Sequence, residues 1–339
     1  MKAVVIIEPG KVVLQEMEKP VPKPDEALLK LLYGGICGSD LSTYRGAGAY
    51  VTYPRIPGHE FSAEIVEIGE NELGLKPGMI VTCNPYFNCG ECYSCRRGLV
   101  NCCMDNKTMG VQREGALAEY ITMPISRIYA ANSLDAKTLA LLEPFCISSH
   151  GVTRANVVKG DKVLIIGAGT IGILAALSAK AKGASVYVTD ISSQKLDYAS
   201  NLGVDGTILN NPEEMQKALA NITCADGFDV TIEAVGTPST FQLAIDTAAF
   251  GGRVVLIGVS KENLDFNFTT IQRKELNVYG SRNAFKSDFL ELIELVKEQK
   301  LPLDKIITNT YSLNDVEKMF ADFDANASKM LKVVLDFTV

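Results

Sequence analysis

The segment KVLIIGAGTIGILAALSAKAKGASVYVTD, residues 162–190, carries the clearest structural signal in this chain. An apolar run at 162–166 leads into a glycine-rich turn, and residues 171–181 then have the apolar composition of a buried helix. A second apolar run, at 185–189, ends in an aspartate. A strand, a tight turn, a helix and a strand in this order predict a βαβ unit whose parallel strands are covered by helices on both faces.

The glycine-rich turn has the spacing of a dinucleotide-binding site. Glycines at 167, 169 and 172 allow a tight turn and let backbone amides at a helix N-terminus approach a pyrophosphate. Asp190 ends the second strand, where its carboxylate can accept hydrogen bonds from both ribose hydroxyls and would repel a 2′-phosphate. Residues 191–193 include no arginine to bind such a phosphate. We therefore expect NAD rather than NADP, bound by Gly167, Gly169, Thr170, Ile171, Gly172 and Asp190.

The pattern along the chain changes near residue 150. Before it, short β runs such as 60–68 and 79–83 alternate with turns rich in glycine and proline, which is typical of a partly open β structure. After it, apolar runs alternate with helical segments, which predicts a doubly wound parallel sheet. Beyond the first βαβ unit, this sheet is predicted to contain a helix at 192–201 and β runs at 229–233, 253–259 and 276–281.

The C-terminal part of the chain is predicted to return to the first domain. Two helical segments and a strand are predicted there, at 287–299, 313–320 and 330–337. No internal repeat stands out in the sequence. We therefore expect one domain formed by residues 1–149 and 282–339, into which residues 150–281 are inserted as a second domain.

Composition and charge argue against several classes of function. With 339 residues, 47% of them hydrophobic, the chain can bury the cores of about two domains. A formal net charge of -7 disfavours nucleic acid and anionic membranes as partners. The apolar run at 3–7 is too short for a secretory signal, so we expect a cytoplasmic protein. The uncharged segment 163–179 contains three glycines, and we interpret it as a strand and a helix rather than a membrane span.

The cysteines indicate a metal site rather than a disulfide framework. There are nine of them in a long chain, and four have the closely spaced pattern C-x2-C-x2-C-x7-C. Cys89, Cys92, Cys95 and Cys103 are sufficient for a closed tetrahedral zinc site, which would be structural and would hold a lobe at about 84–105. Cys102 competes with Cys103 as the fourth ligand. An iron–sulfur cluster is the alternative, but hydride transfer to a nicotinamide does not need one.

A third group of residues also has metal-binding chemistry. Cys37 lies in the segment GICGSD, His59 and Glu60 lie in PGHE, and Glu143 lies in LEP. Taken singly, they could be a buried cysteine, a histidine whose hydrogen bonds are made within the fold, and surface glutamates. Together with the order of the other motifs, they make the whole sequence resemble the zinc-containing medium-chain dehydrogenase family. The resemblance implies a GroES-like catalytic domain, which is a partly open β-barrel, with an inserted Rossmann domain.

The resemblance also implies a role for each residue of this third group. Cys37 and His59 would bind a catalytic zinc ion, and Glu60 and Glu143 would complete its ligand shell or exchange within it. Which glutamate binds directly and which binds through water is left open. Zinc would act as a Lewis acid on a substrate hydroxyl, so that hydride passes to the nicotinamide. The protein would then be an oxidoreductase with two zinc ions in each chain.

A separate group of residues concerns the route of the proton. Ser39 is expected to relay it, and Asp40 to orient His59. Many relatives carry a histidine five residues after the zinc-binding cysteine, where this chain has Ser42. The relay would then end at Glu60 with water or at bulk solvent. For the other histidine, His150, we expect helix packing rather than catalysis.

Within the family, the sequence is most similar to the polyol and sugar-acid branch. The segments EPF at 143–145 and GSRNA at 280–284 look like those of bacterial enzymes that oxidise L-galactonate or L-gulonate at carbon 5. A carboxylate substrate favours a fixed guanidinium. The candidates for substrate contact are Arg282 with Asn283, Arg113 in the segment GVQREG, and Arg45. For Arg45 and Arg113 we expect surface pairing with a neighbouring acid, and for Arg282 a contact with the cofactor is the alternative.

Two other functions compete with an aldonate dehydrogenase. A neutral polyol dehydrogenase of the sorbitol type would use the same zinc chemistry without the arginine. A non-catalytic NAD-binding regulatory protein would be expected to have lost a zinc ligand, yet Cys37, His59 and Glu143 are all present. We expect a homodimer or homotetramer that acts on a small molecule and binds neither nucleic acid nor membrane.

Overall fold

A computed structural model describes residues 1–48, 50–131, 133–260, 262–299 and 301–339. The chain divides into two compact units: residues 1–143 with 285–339, and residues 144–284. The boundary expected at residue 150 falls inside a helix, Leu142–Arg154, that begins in the first unit and ends in the second. The change in sequence pattern is displaced from the boundary because the helix continues across it.

The N-terminal part of the first unit consists mainly of short strands. Its strands are β1 (Lys2–Glu8), β2 (Lys11–Glu16), β3 (Glu26–Ile36), β4 (Glu60–Ile68), β5 (Ile80–Cys83), β6 (Tyr86–Phe87), β7 (Lys107–Thr108), β8 (Tyr120–Pro124) and β9 (Ile128–Ala130). Its helices are α1 (Gly38–Tyr44), α2 (Tyr93–Arg96), α3 (Ala136–Ala140) and the boundary helix α4 (Leu142–Arg154), with 3-10 turns at Val100–Cys102 and Ile125–Arg127.

The second unit alternates strands and helices. Its strands are β10 (Lys162–Ile166), β11 (Ser185–Asp190), β12 (Gly206–Leu209), β13 (Phe228–Glu233), β14 (Ala248–Leu256) and β15 (Asn277–Gly280). Its helices are α5 (Thr170–Ala181), α6 (Ser193–Asn201), α7 (Pro212–Thr223), α8 (Pro238–Thr247) and α9 (Thr269–Lys274).

The chain then returns to the first unit. The elements there are α10 (Lys286–Gln299), a 3-10 turn at Leu303–Ile306, β16 (Ile307–Ser312), a 3-10 turn at Leu313–Asp315, α11 (Val316–Asn326) and β17 (Lys332–Asp336). The helix expected at 313–320 is thus preceded by a tighter turn and extends to Asn326. Sequence analysis did not predict β16, in which polar residues interrupt the apolar pattern.

The sheet of the second unit has the predicted doubly wound arrangement. Its order is β12-β11-β10-β13-β14-β15, and all neighbouring strands are parallel. Apolar side chains from β10, β13 and α8, including Leu164, Phe228 and Ile245, form its core. The uncharged segment 163–179 forms β10 and most of α5. In the part of the chain that the structure describes, no helix is long and apolar enough to cross a membrane.

One strand of this sheet ends earlier than its sequence predicts. The β run expected at 253–259 leaves the ladder after Leu256. The amides of Ile257 and Gly258 instead donate to the carbonyl oxygen of Glu233, at 2.9 and 3.1 Å. Apolar composition continues past the end of the strand, which is why the pattern alone overestimates its length.

The first unit contains a larger sheet with the order β16-β17-β3-β4-β5-β9, and β8 also pairs with β3. As predicted, the last strand returns to the first domain: β17 pairs antiparallel with β3. Strands β3 and β4 are antiparallel neighbours, with Gly35 opposite Glu60. The pairing of β3 and β4 therefore brings two distant sequence motifs together.

Candidate active site

The end of β3 and the start of β4 form a metal-ligand cluster. Cys37 follows β3, His59 precedes β4 and Glu60 is its first residue. The ligand atoms of these three side chains all lie within 4.8 Å of one another. Opposite Glu60, Gly35 has no side chain, and a Cβ there would collide with Oε2 of Glu60. The strand register and one glycine thus make room for the cluster.

The chemistry of the cluster fits a zinc ion. Thiolate, imidazole and carboxylate are the usual zinc ligands, and three protein ligands leave a fourth position open. Among the described residues, Nδ1 of His59 is buried without a hydrogen-bond partner. Burial alone would lower the pKa of His59, but the nearby Cys37 raises it well above its usual range. A buried imidazole next to a thiol, with one ring nitrogen that has no hydrogen-bond partner, is a group whose bonding a metal ion could complete.

Asp40 organises this cluster through backbone hydrogen bonds that sequence analysis did not predict. Its charge interacts with that of His59, although Nδ1 of His59 has no hydrogen-bond partner among the described residues. Its Oδ1 accepts from the amide of Gly58 and its Oδ2 from the amide of Cys37, each at 2.9 Å. Because both oxygens bind backbone amides, Asp40 fixes the two loops that carry Cys37 and His59.

Glu143 lies beside the cluster but is not one of its three grouped residues. It is buried in the first turn of α4, where Oε1 accepts a hydrogen bond from the hydroxyl of Tyr86. Burial raises the pKa of Glu143 to about 7, and the nearby Glu60 adds to the effect while His59 opposes it. The structure thus groups Glu60 with Cys37 and His59. Tyr86, which sequence analysis missed, gives no motif signal because it is an ordinary strand residue that precedes the first cysteine of the lobe.

Lys332 is a second residue that sequence analysis missed. It is 2% exposed in β17, and its Nζ lies 2.5 Å from Oε2 of Glu60. Burial alone would lower the pKa of Lys332, but the charge of Glu60 raises it above its usual value. The sequence does contain a signal for this residue, since a lysine stands between Leu331 and Val333 in an apolar β run. A lysine that is buried in such a run needs an acidic partner.

The residues of the expected proton route differ in their burial. Ser39 is exposed in the first turn of α1, and Ser42 is half-buried in the same helix. His150 is buried within α4. A relay through Ser39 stays a prediction.

The cysteine lobe forms a second metal-ligand cluster. The sulfur atoms of Cys89, Cys92, Cys95 and Cys103 lie within 4.8 Å of one another, and Cys102 is exposed outside this group. Sγ of Cys103 lies 3.5 Å from Sγ of Cys89 and 3.9 Å from Sγ of Cys92. Thiolates about 2.3 Å from a zinc ion stand about 3.8 Å apart at the corners of a tetrahedron. The lobe therefore fits a closed zinc site with Cys103 as the fourth ligand.

The glycine-rich turn connects β10 to α5 and is fixed by Asp190. Gly167 has a φ of 101°, a conformation that favours glycine, and its amide donates to the carbonyl oxygen of Thr189 at 2.8 Å. Oδ2 of Asp190 accepts from the amide of Ala168 at 2.7 Å, and Oδ1 accepts from the amide of Ser192 at 2.8 Å. Asp190 thus lies beside the turn at the carboxyl edge of the sheet, where doubly wound folds bind ligands.

Glu233 fixes two further turns at this edge. Its Oε1 accepts from the amides of Val235 and Gly236, both at 2.8 Å, while its carbonyl oxygen accepts from Ile257 and Gly258. Val235 and Val259, on these two turns, are 46% and 87% exposed, as is the apolar Ile191 after β11 at 81%. Exposed aliphatic side chains in one region mark a binding surface. Sequence analysis missed Glu233 because its partners are backbone amides.

The three arginine candidates have different surroundings. Arg45 pairs with Asp324, the surface arrangement that was expected for it. The guanidinium of Arg113 stacks on the ring of Phe87, 3.5 Å from its centroid, instead of pairing with an acid. Successive strand residues point to opposite faces, so Phe87 and Arg113 lie on the face of β6 away from Tyr86. Arg282 is exposed after β15, and Asn283 beside it has a left-handed φ of 52°.

Fold and site together define a zinc-containing, nicotinamide-dependent oxidoreductase. Residues 170–298 match the zinc-binding dehydrogenase family, and residues 23–133 match the alcohol dehydrogenase GroES-like domain. The chain belongs to the zinc-binding alcohol dehydrogenase family, and its two domains are of the GroES-like and Rossmann types, as the sequence resemblance implied. Family membership also sets aside the non-catalytic alternative.

Curated relatives and solved structures cover nearly the whole chain. It is 33% identical to the L-galactonate-5-dehydrogenase of Escherichia coli K12 over 99% of both chains, and 32% identical to a sorbitol dehydrogenase of Halalkalibacterium halodurans over 96% of this chain and 97% of the relative. An L-threonine 3-dehydrogenase of Pyrococcus horikoshii is 35% identical over 92% of this chain and 91% of the relative. The crystal structure of galactitol-1-phosphate dehydrogenase from Escherichia coli is 32% identical in sequence and has a TM-score of 0.92, over 99% of this chain and 100% of that chain.

Proposed function

We propose that this protein uses NAD to oxidise a secondary alcohol of an aldonate, such as L-galactonate or L-gulonate, to the ketone, reversibly. Each chain would bind one catalytic and one structural zinc ion. The observation that carries the reaction class is the buried cluster of Cys37, His59 and Glu60, in which an imidazole nitrogen lacks a partner. The substrate class is a finer inference from the relatives and from Arg282.

The chain's own residues supply the positioning and the proton chemistry. Cys37, His59 and Glu60 would hold the zinc ion, which when bound acts as a Lewis acid on an alcohol oxygen. Asp40 keeps the loops of the first two ligands in place. Glu143, whose pKa is raised to about 7, is suited to exchange a proton near neutral pH. Ser39 is our candidate to pass that proton to solvent.

Similarity to the L-galactonate-5-dehydrogenase along the full chain supports an aldonate substrate. The carboxylate of an aldonate needs a cation, and a guanidinium binds it through two parallel hydrogen bonds. Arg282 is our candidate, because it is exposed directly after β15, in the segment 280–284 that resembles those of aldonate dehydrogenases. A neutral polyol is the second candidate, supported by the sorbitol dehydrogenase relative.

The decisive experiment compares NADH formation from an aldonate and from the alditol of the same configuration. We expect the wild type to prefer the aldonate, and Arg282→Ala to lose about 2–5 kcal/mol of transition-state binding for the aldonate but little for the alditol. The reason is that only the aldonate leaves an unpaired charge behind. Arg45→Ala is the matched control and should leave both substrates unchanged.

Other outcomes would redirect the substrate assignment. A wild type that prefers the alditol would contradict the aldonate proposal and favour the sorbitol-type function. Equal losses on both substrates in Arg282→Ala would show that Arg282 serves the cofactor or the fold. L-Threonine belongs in the same assay because it also carries a carboxylate and several relatives are L-threonine 3-dehydrogenases.

A further inference from the structure

The amino group of Lys332 connects two of the metal-ligand segments. Its Nζ is 2.5 Å from Oε2 of Glu60 and donates to the carbonyl oxygen of Ile36, the residue before Cys37, at 3.2 Å. The side chains of Lys332 and Glu60 are only 3% and 1% exposed. Water therefore screens this ion pair very little.

Three paired strands fix this connection. In the antiparallel pair of β17 and β3, Val333 lies opposite Ile36, so the neighbouring Lys332 is held at the end of β3. In the pair of β3 and β4, Gly35 lies opposite Glu60, and Oε2 of Glu60 lies against the Gly35 backbone. This oxygen is thus enclosed between an amino group and a strand.

We propose that Lys332 is a positioning residue that keeps Oε2 of Glu60 out of the catalytic metal's ligand shell, so that Glu60 offers the metal a single oxygen. A carboxylate that bound through both oxygens would occupy the position that a catalytic zinc site leaves open for substrate. By holding one oxygen, Lys332 keeps this position available. The inference rests on the catalytic metal site of the proposed function but is independent of which alcohol is oxidised.

The charges around the site support the same role. Cys37 as a thiolate and Glu60 as a carboxylate already match the charge of one divalent ion, and Glu143 adds negative charge when it is ionised. Buried charges need a partner, and the Lys332 amino group is that partner for Glu60. If Lys332 is replaced by an apolar residue of similar length, Glu60 has the metal as its remaining partner within the cluster. We expect it then to bind the metal through both oxygens.

The test is a double-mutant cycle of Lys332→Met and Glu60→Gln that follows the metal and not turnover. One readout is the rate at which zinc is lost to a chelator, and the other is the visible spectrum after cobalt replaces zinc. When Glu60 is present, Lys332→Met should slow metal loss by about tenfold, the usual size of the effect of a residue that hydrogen-bonds to a metal ligand. It should also shift the cobalt spectrum toward a higher coordination number. In the Glu60→Gln background, Lys332→Met should change neither readout.

The cysteine lobe contributes equally to all four spectra, so their differences report on the catalytic site. If Lys332→Met has equal effects with Glu60 and with Glu60→Gln, Lys332 acts on the site only through its charge and not through Glu60, which would overturn the proposal. The absence of any effect when Glu60 is present would overturn it as well. If Lys332→Met folds poorly, Lys332→Arg keeps the charge and should retain the wild-type spectrum; a shift toward higher coordination would contradict us. A wild type whose cluster of Cys37, His59 and Glu60 binds no metal ion overturns both this inference and the proposed function, whereas a wrong substrate leaves these readouts unchanged.

Discussion

Asp190 shows how one carboxylate can serve both the fold and the choice of cofactor. Its side-chain oxygens accept hydrogen bonds from the amides of Ala168 and Ser192, and we expect them to accept hydrogen bonds from the ribose hydroxyls as well. Asp190→Ser should therefore weaken NAD binding and shift the preference between NAD and NADP by about 1–3 kcal/mol toward NADP, because a charged acceptor is lost and a 2′-phosphate is no longer repelled. Fluorescence titration of both reduced cofactors measures this shift.

Asp190→Asn separates the two roles of this residue. It removes the charge but keeps one acceptor oxygen for a backbone amide, so the preference should change while the turn is better preserved than in Asp190→Ser. If neither variant changes the ratio of NAD to NADP affinity, another residue recognises the ribose.

Tyr86 is predicted to stabilise the fold through Glu143. Replacing it with phenylalanine removes the hydroxyl that donates to a buried carboxylate oxygen. We expect the free energy of unfolding to fall by about 1–3 kcal/mol, the cost of leaving a buried acceptor unsatisfied. Tyr311→Phe is the control, since Tyr311 donates to Asp322, whose side chain is 33% exposed. Equal losses in the two variants, measured by chemical denaturation, would contradict a special role for Tyr86.

At the scale of elements, the cysteine lobe depends on its metal more than on apolar packing. Its segments are short, namely α2 and the 3-10 turn at Val100–Cys102, and most of the side chains in them are at least partly exposed. Cys103→Ser should remove one zinc ion from each chain and lower the melting temperature, because the metal supplies the folding energy of such a lobe.

Cys102 provides a matched control for this prediction. It is adjacent to Cys103 in sequence but exposed and outside the sulfur cluster. Cys102→Ser should keep both zinc ions and the wild-type melting temperature. Loss of zinc from Cys102→Ser with retention in Cys103→Ser would reverse the assignment of the fourth ligand.

The elements differ in how far the sequence predicts them. Strands β4 and β10 have the predicted bounds: β4 has the mixed apolar and polar pattern of a β run, β10 is a short apolar run, and each ends at a glycine-containing turn. The end of β14 was wrong, since the amides of Ile257 and Gly258 both bind the carbonyl oxygen of Glu233, the last residue of β13, and the ladder ends there. β16 was missed because the sequence ITNTYS lacks an apolar pattern, and its pairing with β17 is a tertiary effect.

At the scale of the whole molecule, the site was predictable where its chemistry is contained in short motifs. Cys37, His59 and Glu60 stand in two such motifs, and the register of β3 and β4 joins them. Lys332 and Glu60 are 272 residues apart, and only the return of β17 to β3 brings them together. The backbone hydrogen bonds of Asp40 could not be predicted for a related reason, because a sequence motif does not show that the amides of Cys37 and Gly58 bind its two oxygens.

The measurement that tests this account most directly is the zinc content of the wild type and of His59→Ala, with NAD reduction assayed on the same samples. We predict about two zinc ions per wild-type chain and about one in His59→Ala, with turnover abolished and the fold retained, because an open catalytic site is assembled on existing strands. Two zinc ions in His59→Ala, or an inactive His59→Ala that has lost none, would contradict the assignment of the catalytic metal to Cys37, His59 and Glu60, whereas an active wild type with only one zinc ion would remove one of the two sites.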